Sequence, residues 1–525
     1  MALDWPPSAT WVILALSTLF IGARYLSSRK VDPREPPVVS PTIPFIGHLL
    51  GMAIYGGRYL KEIGIQNRHQ TPIFTLPVPN SRLYIVTDPS LAAAVQRASK
   101  VLSFTPIIPE VTERILGLDK ATVEIARKNL DPAPGEERGF LADIQEMVYT
   151  WLGPGDYLSE LTSAAANQLK AEVAAYIAAL RTRRVDGGRV DLLAWVRHSV
   201  TVATAQYLYG PQNPIAENLS LEQAFWDFDH GLGMLLMNIV PSLTASKAYA
   251  GRERLVSALA DYLEAGTHET ASKIVQERVR LALQHGWTLR AAARSELSFL
   301  FAGIVNTTTS TFWIVLQLFA DPELLRAVRG EVEAVLTSDD GAQTLAIDDL
   351  KNKCPVLNAV YRECLRLNSD NNSVRVVKED TLLSDRWFLA KGSVVQIAGG
   401  VIHADSAIWG SDVDTFDPKR FLAQQSGEKD KERQVHPAAF RAFGGGKTLC
   451  PGRHFAMNEI LSFVALVVLQ LDITGEGGGR IIVPRKNDAV LPVHILEPVS
   501  PALVSIRPRE GWDGARELRI VLKKL

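Results

Sequence analysis

At residues 441–460 the chain reads RAFGGGKTLCPGRHFAMNEI, and two groups compete there for the chemistry, the lysine after three glycines and a lone cysteine. A phosphate-cradling loop of the form G-x-x-x-x-G-K-[ST], ending at Gly446, Lys447 and Thr448, needs glycine at position 441, where Arg441 stands. The run before it, KDKERQVHPAAFRAF, is charged and then mixed, with no apolar strand leading in. That reading fails, and Cys450 is left. Pro451 suits a first helical turn, because its ring fixes φ and its missing N–H would go unpaired there. GRHFAMNEILSFVALVVLQ then predicts a long apolar helix. The sulfur is thus expected at a helix N-terminus, where the dipole and free N–H groups favour the thiolate, and the glycines let the backbone fold close to it. Such a thiolate can be a nucleophile, a redox thiol or an axial ligand to heme iron. His454 lies four residues on, where a base or a core histidine would sit, and no resolving cysteine is close in sequence. Phe443, seven residues ahead, is placed to shield an iron-bound sulfur from water.

FGGGKTLCPG resembles the heme-binding loop of the cytochrome P-450 family, F-x-x-G-x-x-x-C-x-G, at Phe443, Gly446, Cys450 and Gly452. Upstream, in the family's order, YRECLRL supplies an E-x-x-R pair as Glu363 and Arg366, on one side of a helix. FDPKRFL matches F-x-P-x-R-F and gives Arg420 as third member of a buried Glu–Arg–Arg network. An E-x-x-R alone most often means a surface helix pair; three motifs in register make that meaning improbable. The resemblance implies heme b (iron protoporphyrin IX) with Cys450 as the proximal iron ligand, pushing electron density that favours O–O cleavage. It further implies that Arg375 pairs with a heme propionate, a contact that uses arginine geometry. Residues 297–320 match the long helix across the distal heme face. In it AGIVNT stands where the family has A-G-x-[D/E]-T-[T/S], and Ala302 and Gly303 leave room for oxygen.

The chain also departs from the pattern. Val305 occupies the acid position and Asn306 the usual threonine position, and an Asn amide cannot donate as an acid. Thr307 or ordered waters are left to relay protons. A similar Asn is found in the sterol and bile-acid hydroxylase branch and in prostacyclin synthase, so both monooxygenation and redox-neutral rearrangement stay open. Thr448 replaces the usual arginine before the cysteine, and no W-x-x-x-R segment stands between residues 120 and 160. Lys447 could meet a propionate or lie solvated on the proximal surface; with Arg453 it could also serve electron delivery from a docked reductase. Substrate contacts are expected from Ile304, Val305, the stretch 369–374 including Val374, and Val490 and Leu491 within 489–492. GLGMLLMNIVP, with Met234 and Met237, would roof an apolar pocket or touch a membrane; core packing competes for each of these.

The bulk of the chain agrees with one large globular body. It has 525 residues, 47% hydrophobic and 22% charged, with a formal net charge of −1. Nothing in it is basic enough for a nucleic-acid partner. Three scattered cysteines, Cys354, Cys364 and Cys450, exclude a disulfide framework and fit a reducing compartment. Residues 5–23 carry no charge over about the length that spans a bilayer. Arg24, Arg29 and Lys30 follow, and only Asp4 precedes, so the chain beyond is expected on the cytosolic side. The expected organisation is a membrane anchor at 1–30, a proline-rich hinge at 31–50 stiffened by Pro33, Pro36, Pro37, Pro41 and Pro44, and a heme-thiolate domain at 51–525.

The fold class is mainly α with a minor β part. Helices are predicted from runs such as SELTSAAANQLKAEVAAYIAALRTRR and ELLRAVRGEVEAVL, and strands from RLYIVT, SVVQIA and ELRIVL. The uncharged segment 297–320 is long enough for a second membrane span, but Asn306, Thr307, Thr308, Thr309 and Ser310 at its centre fit a buried core helix instead. The expected function is monooxygenation of an apolar sterol-, terpenoid- or secondary-metabolite-like molecule with O2, by a eukaryotic biosynthetic enzyme single-pass in the endoplasmic reticulum. NADPH would supply electrons through an NADPH-cytochrome reductase, since this chain shows no flavin or dinucleotide domain. A redox-neutral heme isomerase or dehydratase, and a heme-based sensor or carrier, are the alternatives.

Overall fold

The computed structural model describes residues 17–18, 21–22, 32–41, 43, 46–79, 81–182, 189–339, 342–425, 435–490, 495–512 and 518–522. The expected anchor falls almost wholly outside them, as do Pro44 and Leu491. Helices dominate: α1 (Pro89–Arg97), α2 (Phe140–Trp151), α3 (Asp156–Thr182), α4 (Leu192–Tyr209), α5 (Ser246–Glu264), α6 (Leu289–Ala320), α7 (Pro355–Asn368) and α8 (Arg453–Gln470) build the part that concerns the site. The main sheet has β1 (Ile73–Val78), β2 (Ser81–Val86), β3 (Leu102–Ser103), β4 (Asn372–Val377) and β5 (Val394–Ala398), in the order β1-β2-β5-β4-β3. β2 and β5 run parallel and the other pairs antiparallel. RLYIVT and SVVQIA form β2 and β5, and the ELRIVL segment forms Leu518–Val521 beside Ala342–Ala346.

Residues 32–41 do not hang free of this body. Thr75 and Val39 exchange backbone hydrogen bonds with Pro37 and Thr75 in turn, at 2.8 and 2.9 Å, along β1. Glu35 is buried there and accepts from the Tyr84 hydroxyl at 2.9 Å. The prolines suit this edge position because they have no N–H to leave unpaired. A helix begins at Gly47, inside the span expected as hinge.

The decisive element is α6. Thr288 caps it, its hydroxyl accepting from Ala291 N–H at 3.1 Å. At about 1.5 Å per residue its 32 residues run roughly 48 Å, through the middle of the molecule rather than along its surface. Its N-terminal half (Leu297, Leu300, Ile304, Val305) packs into one apolar cluster with Phe225, Phe228 and Leu255. Its C-terminal half (Phe312, Trp313, Val315) packs into another with Phe463 and Leu466 of α8. A side chain buried at this level contributes about 1.5–3 kcal/mol, which explains why an apolar helix of spanning length stays in the core. The polar stretch lies where the two clusters meet. Asn306 Oδ1 accepts there from Ile495 N–H at 2.9 Å and Thr309 donates to the Val305 carbonyl at 3.1 Å, while the buried Thr308 hydroxyl finds no partner among the described residues.

The candidate active site

Between α6 and the cysteine loop lies a cavity of about 550 Å³. Ala302, Gly303, Asn306 and Thr307 of α6 form one wall, Phe443, Cys450 and Gly452 another, and Val374 and Arg375 of β4 close the edge. The rest of the lining is largely apolar, with Phe104, Leu152, Phe299 and Phe455 among it. The cavity thus brings together residues as far apart in sequence as Phe104 and Ile495. Two expectations are corrected. Ile304 and Val305 are fully buried among the apolar side chains on the far side of α6, because about 100° per residue turns them away when 302, 303, 306 and 307 face in. Val490 is exposed beside the chain at Gly57, whose N–H donates to its carbonyl, and does not reach the cavity. Stretch 369–374 does line the cavity, through Ser369, Asn371, Asn372, Ser373 and Val374.

The loop is folded tightly around the sulfur. Cys450 N–H donates to the Phe443 carbonyl at 2.9 Å, closing the loop on itself. Gly446 takes φ 62, and a Cβ on it would come within 2.8 Å of Gln96 Cβ, so both conformation and space require glycine. A Cβ on Gly452 would stand 3.9 Å from Cys450 Sγ, in ordinary contact. Helix α8 starts at Arg453, past the sulfur, with the Arg453 N–H donating to the Cys450 carbonyl at 3.4 Å, and the backbone N–H groups of Gly452 and Arg453 act to lower the thiol pKa. Burial nevertheless dominates and pushes the Cys450 thiol pKa up; the two N–H groups and the Arg453 charge pull it down by less. The N–H groups favour the thiolate, as expected, but burial opposes it by more, so a cation at the sulfur is what ionisation needs. The region that lacks W-x-x-x-R supplies Tyr149 instead, whose hydroxyl reaches the carbonyls of Lys447 at 2.9 Å and Leu449 at 2.5 Å. Lys447 is exposed.

Arg375 is buried on β4, one guanidinium nitrogen donating to Thr448 Oγ1 at 2.5 Å. Beside it lies Arg441, equally buried, a residue that sequence reasoning used only to dismiss a phosphate loop. With its oxygen toward the arginine, the Gln96 amide accepts from Arg441 Nη1 at 2.5 Å. Burial lowers the Arg441 pKa to about 10, helped by the charge of Arg375, and lowers that of Arg375 too. Among the described residues neither guanidinium pairs with a carboxylate. Two buried like charges side by side, one of them in the cavity wall, call for an anion.

Behind the loop, Glu363 and Arg366 form a two-pronged pair, with both hydrogen bonds at 2.7 Å and both side chains essentially inaccessible. Arg420 Nε donates to Glu363 Oε1 at 3.2 Å. Arg366 also donates to the His403 carbonyl at 2.8 Å, and His403 Nε2 accepts from Arg441 N–H at 2.8 Å. Burial drives the His403 pKa down to about 3, which agrees with a neutral ring donating from Nδ1 to the Ser369 carbonyl at 2.9 Å.

One further group was missed by sequence reasoning. Glu459 on α8 is fully buried; its Oε1 accepts from the Tyr207 hydroxyl at 3.0 Å and its Oε2 from Thr307 Oγ1 at 3.3 Å. Burial pushes its pKa up to about 8, the two hydrogen bonds offsetting only part. A carboxyl whose folded pKa is raised adds stability in full below its ordinary value, and that contribution is lost as pH rises through the folded value. Relative to Glu459→Gln, the protein is expected to lose about 1.4 kcal/mol of stability per pH unit between the ordinary value of 4.5 and about 8, read from urea unfolding across that window. A flat difference between the two proteins would show the carboxyl to be ionised.

A family model for cytochrome P-450 matches residues 176–493. Over 516 residues, covering 96% of both chains, the sequence is 33% identical to cytochrome P-450 monooxygenase nodJ of Hypoxylon pulicicidum. It is 24% identical to the cholesterol 7-alpha-monooxygenase of Cricetulus griseus, over 85% of this chain and 88% of that one. The structure superimposes on retinoic acid bound cyanobacterial CYP120A1 with a TM-score of 0.68 at 20% identity, covering 90% of this chain and 99% of the other.

Proposed function

The chain belongs to the cytochrome P-450 family and is a monooxygenase of it, and from that premise we propose that it inserts one oxygen atom of O2 into an apolar, sterol- or terpenoid-sized molecule. Electrons come from NADPH through a separate reductase, and the enzyme works at the endoplasmic reticulum membrane, with residues 1–30 as anchor and the body beyond the 31–50 connector in the cytosol. The observation that carries this reading is the apolar cavity running from the Cys450 sulfur to the small residues Ala302 and Gly303. The class of substrate is supported by that lining and by the name of the cholesterol-oxidising relative. Membrane contact is supported by exposed Met234, Met237, Ile239 and Leu243, which are unusual as a group on a solvated surface.

The residues fit the heme that the family uses. Cys450 would ligate its iron, Phe443 cover the sulfur, and Arg375 with Arg441 hold the two carboxylates. Bound there, the heme supplies the reductive activation of O2. The chain's own work is to hold the apolar substrate over Ala302 and Gly303, exclude water, and keep Asn306 and Thr307 at the point where protons enter. Exposed Lys447, on the proximal side, suits an acidic reductase face.

Candidate substrates added to the purified protein should shift the Soret band, and reconstitution with reductase and NADPH should place one atom of labelled O2 in the product. Product formed without NADPH would replace this reading by a redox-neutral rearrangement. Arg375→Ala should release heme to an apo-globin acceptor about ten- to a hundredfold faster, the scale of charged hydrogen bonds worth about 1.5–3 kcal/mol. Arg375→Lys should recover part of that loss, since an ammonium keeps the charge without the fork. Unchanged transfer rates in both variants would remove Arg375 from the cofactor's hold.

A further inference from the structure

We propose that Glu459 is the proton store of this site, delivering to the cavity through the Thr307 hydroxyl and refilled from solvent through Tyr207. The inference rests on the monooxygenase reading above. That reaction consumes R–H, O2, NADPH and one H⁺ and yields R–OH, H2O and NADP⁺, so a proton from outside must reach the oxygen atom that leaves as water. The positions from which the family motif would supply it are of no use here. Val305 has no acid and faces the core, and the Asn306 amide oxygen is engaged by Ile495 N–H.

The geometry offers a different acid from a different helix. Glu459 Oε2 and Thr307 Oγ1 are 3.3 Å apart, and Thr307 lies in the cavity wall. Among the described residues no lysine, arginine or histidine pairs with Glu459, and its neighbours from α4 and α6, Tyr207 and Thr307, are neutral. An unpaired buried carboxyl keeps its proton, so the group is loaded at neutral pH. The supply side is equally specific. Tyr207 lines the active-site cavity and also a second cavity of about 330 Å³, whose wall includes the exposed side chains Glu160 and Lys273. Water in that second cavity can therefore reach the ring that touches Glu459 Oε1.

The transfer balances without any redox change in the protein. With the Thr307 hydroxyl turned so that its proton points into the cavity and Oγ1 accepts, the Oε2–H bond of Glu459 breaks as a new O–H forms at Thr307 Oγ1, while the proton already on Oγ1 leaves into the cavity. Tyr207 then gives its proton to Oε1 and takes one from water in the second cavity. Burial and the neighbouring Glu459 raise the Tyr207 pKa well above its ordinary value, so the phenolate does not persist and the two movements are concerted.

The test uses the full chain with heme bound. In the wild type, infrared spectra should contain a protonated-carboxyl band that moves in D2O and is missing from Glu459→Gln. That variant should keep the reduced carbon monoxide spectrum of the wild type. Its product formation should fall by about a hundredfold, toward the lower end of what a positioned acid contributes. NADPH should still be consumed, with hydrogen peroxide released, and the solvent isotope effect on product formation should rise. Glu459→Asp should restore part of the coupling, which a purely structural role would not predict. Should Glu459→Gln fail to fold, Thr307→Ala and Tyr207→Phe carry the same test: both should keep the carboxyl band and lose coupling. Wild-type coupling and isotope effect in Glu459→Gln or in Thr307→Ala, or no protonated band in the wild type, overturns the proposal. If instead the wild type itself lacks the thiolate-type carbon monoxide spectrum, it is the heme-thiolate reading that fails.

Discussion

Cys450→Ser abolishes turnover, by an expected factor of about a thousand or more, equivalent to at least about 4 kcal/mol of barrier. Serine is nearly isosteric and keeps the loop's backbone bonds, including Cys450 N–H to the Phe443 carbonyl. What it removes is a soft, ionisable sulfur. An alcohol is far less acidic than a thiol, and burial already opposes ionisation even of the thiol at this position. The variant is therefore expected to bind heme weakly or through a neutral oxygen. Its reduced carbon monoxide complex should lose the far-red Soret band of a thiolate-ligated iron while the far-ultraviolet circular dichroism stays unchanged. A variant with an intact fold and an intact band would make some other side chain the ligand. Cys354 and Cys364 are poor substitutes: both are buried in the core, where burial raises their pKa values too.

The sequence disclosed this sulfur because its surroundings are local. The glycines, Phe443 and Pro451 all lie within ten residues, and a short loop has few ways to fold. The Glu363–Arg366 pair was legible for the same reason, one helical turn separating the two. The helical class and the buried character of α6 followed from composition and from the polar residues at its middle. What could not be read were contacts that join distant segments. Glu459 meets Thr307 across 152 positions, and Tyr149 meets Leu449 across 300. Arg441 lies next to the motif, yet only the folded sheet brings it beside Arg375. Ile304 and Val305 were misplaced because membership of a motif says nothing about which face of a helix looks into the cavity; the phase of α6 decides it. A buried acid on an otherwise apolar helix, Glu459 in FAMNEILSF, was the one available signal.

Buried charge also explains why the loop depends on residues that never touch the cavity. Glu363→Ala should cost about 3–5 kcal/mol, the scale for breaking a buried ion pair, and exceed Arg366→Ala. Removing the carboxylate strands two guanidiniums and the Asp417 N–H that Glu363 Oε1 accepts at 3.1 Å. Removing Arg366 leaves Glu363 with Arg420 and Asp417 as partners. Arg420 is better insulated from the loss of Glu363, since it also reaches the carboxylate of Asp412 at 2.7 Å and nearby carbonyls. Among the described residues Arg366 hydrogen-bonds to Glu363 and the His403 carbonyl, its guanidinium lying over the Trp409 ring, and through His403 its position is passed to Arg441 at the head of the cysteine loop. Both variants should therefore lose soluble protein and lower the urea midpoint. In the fraction that folds, Arg366→Ala should retain less heme than its own loss of stability accounts for, because the Arg441 backbone has lost a fixed acceptor. The discriminating measurement is heme content per folded molecule at equal denaturant midpoint, with a core variant such as Leu466→Ala as reference. Equal retention in the two would confine the Glu363–Arg366 pair to holding the fold and sever it from the loop.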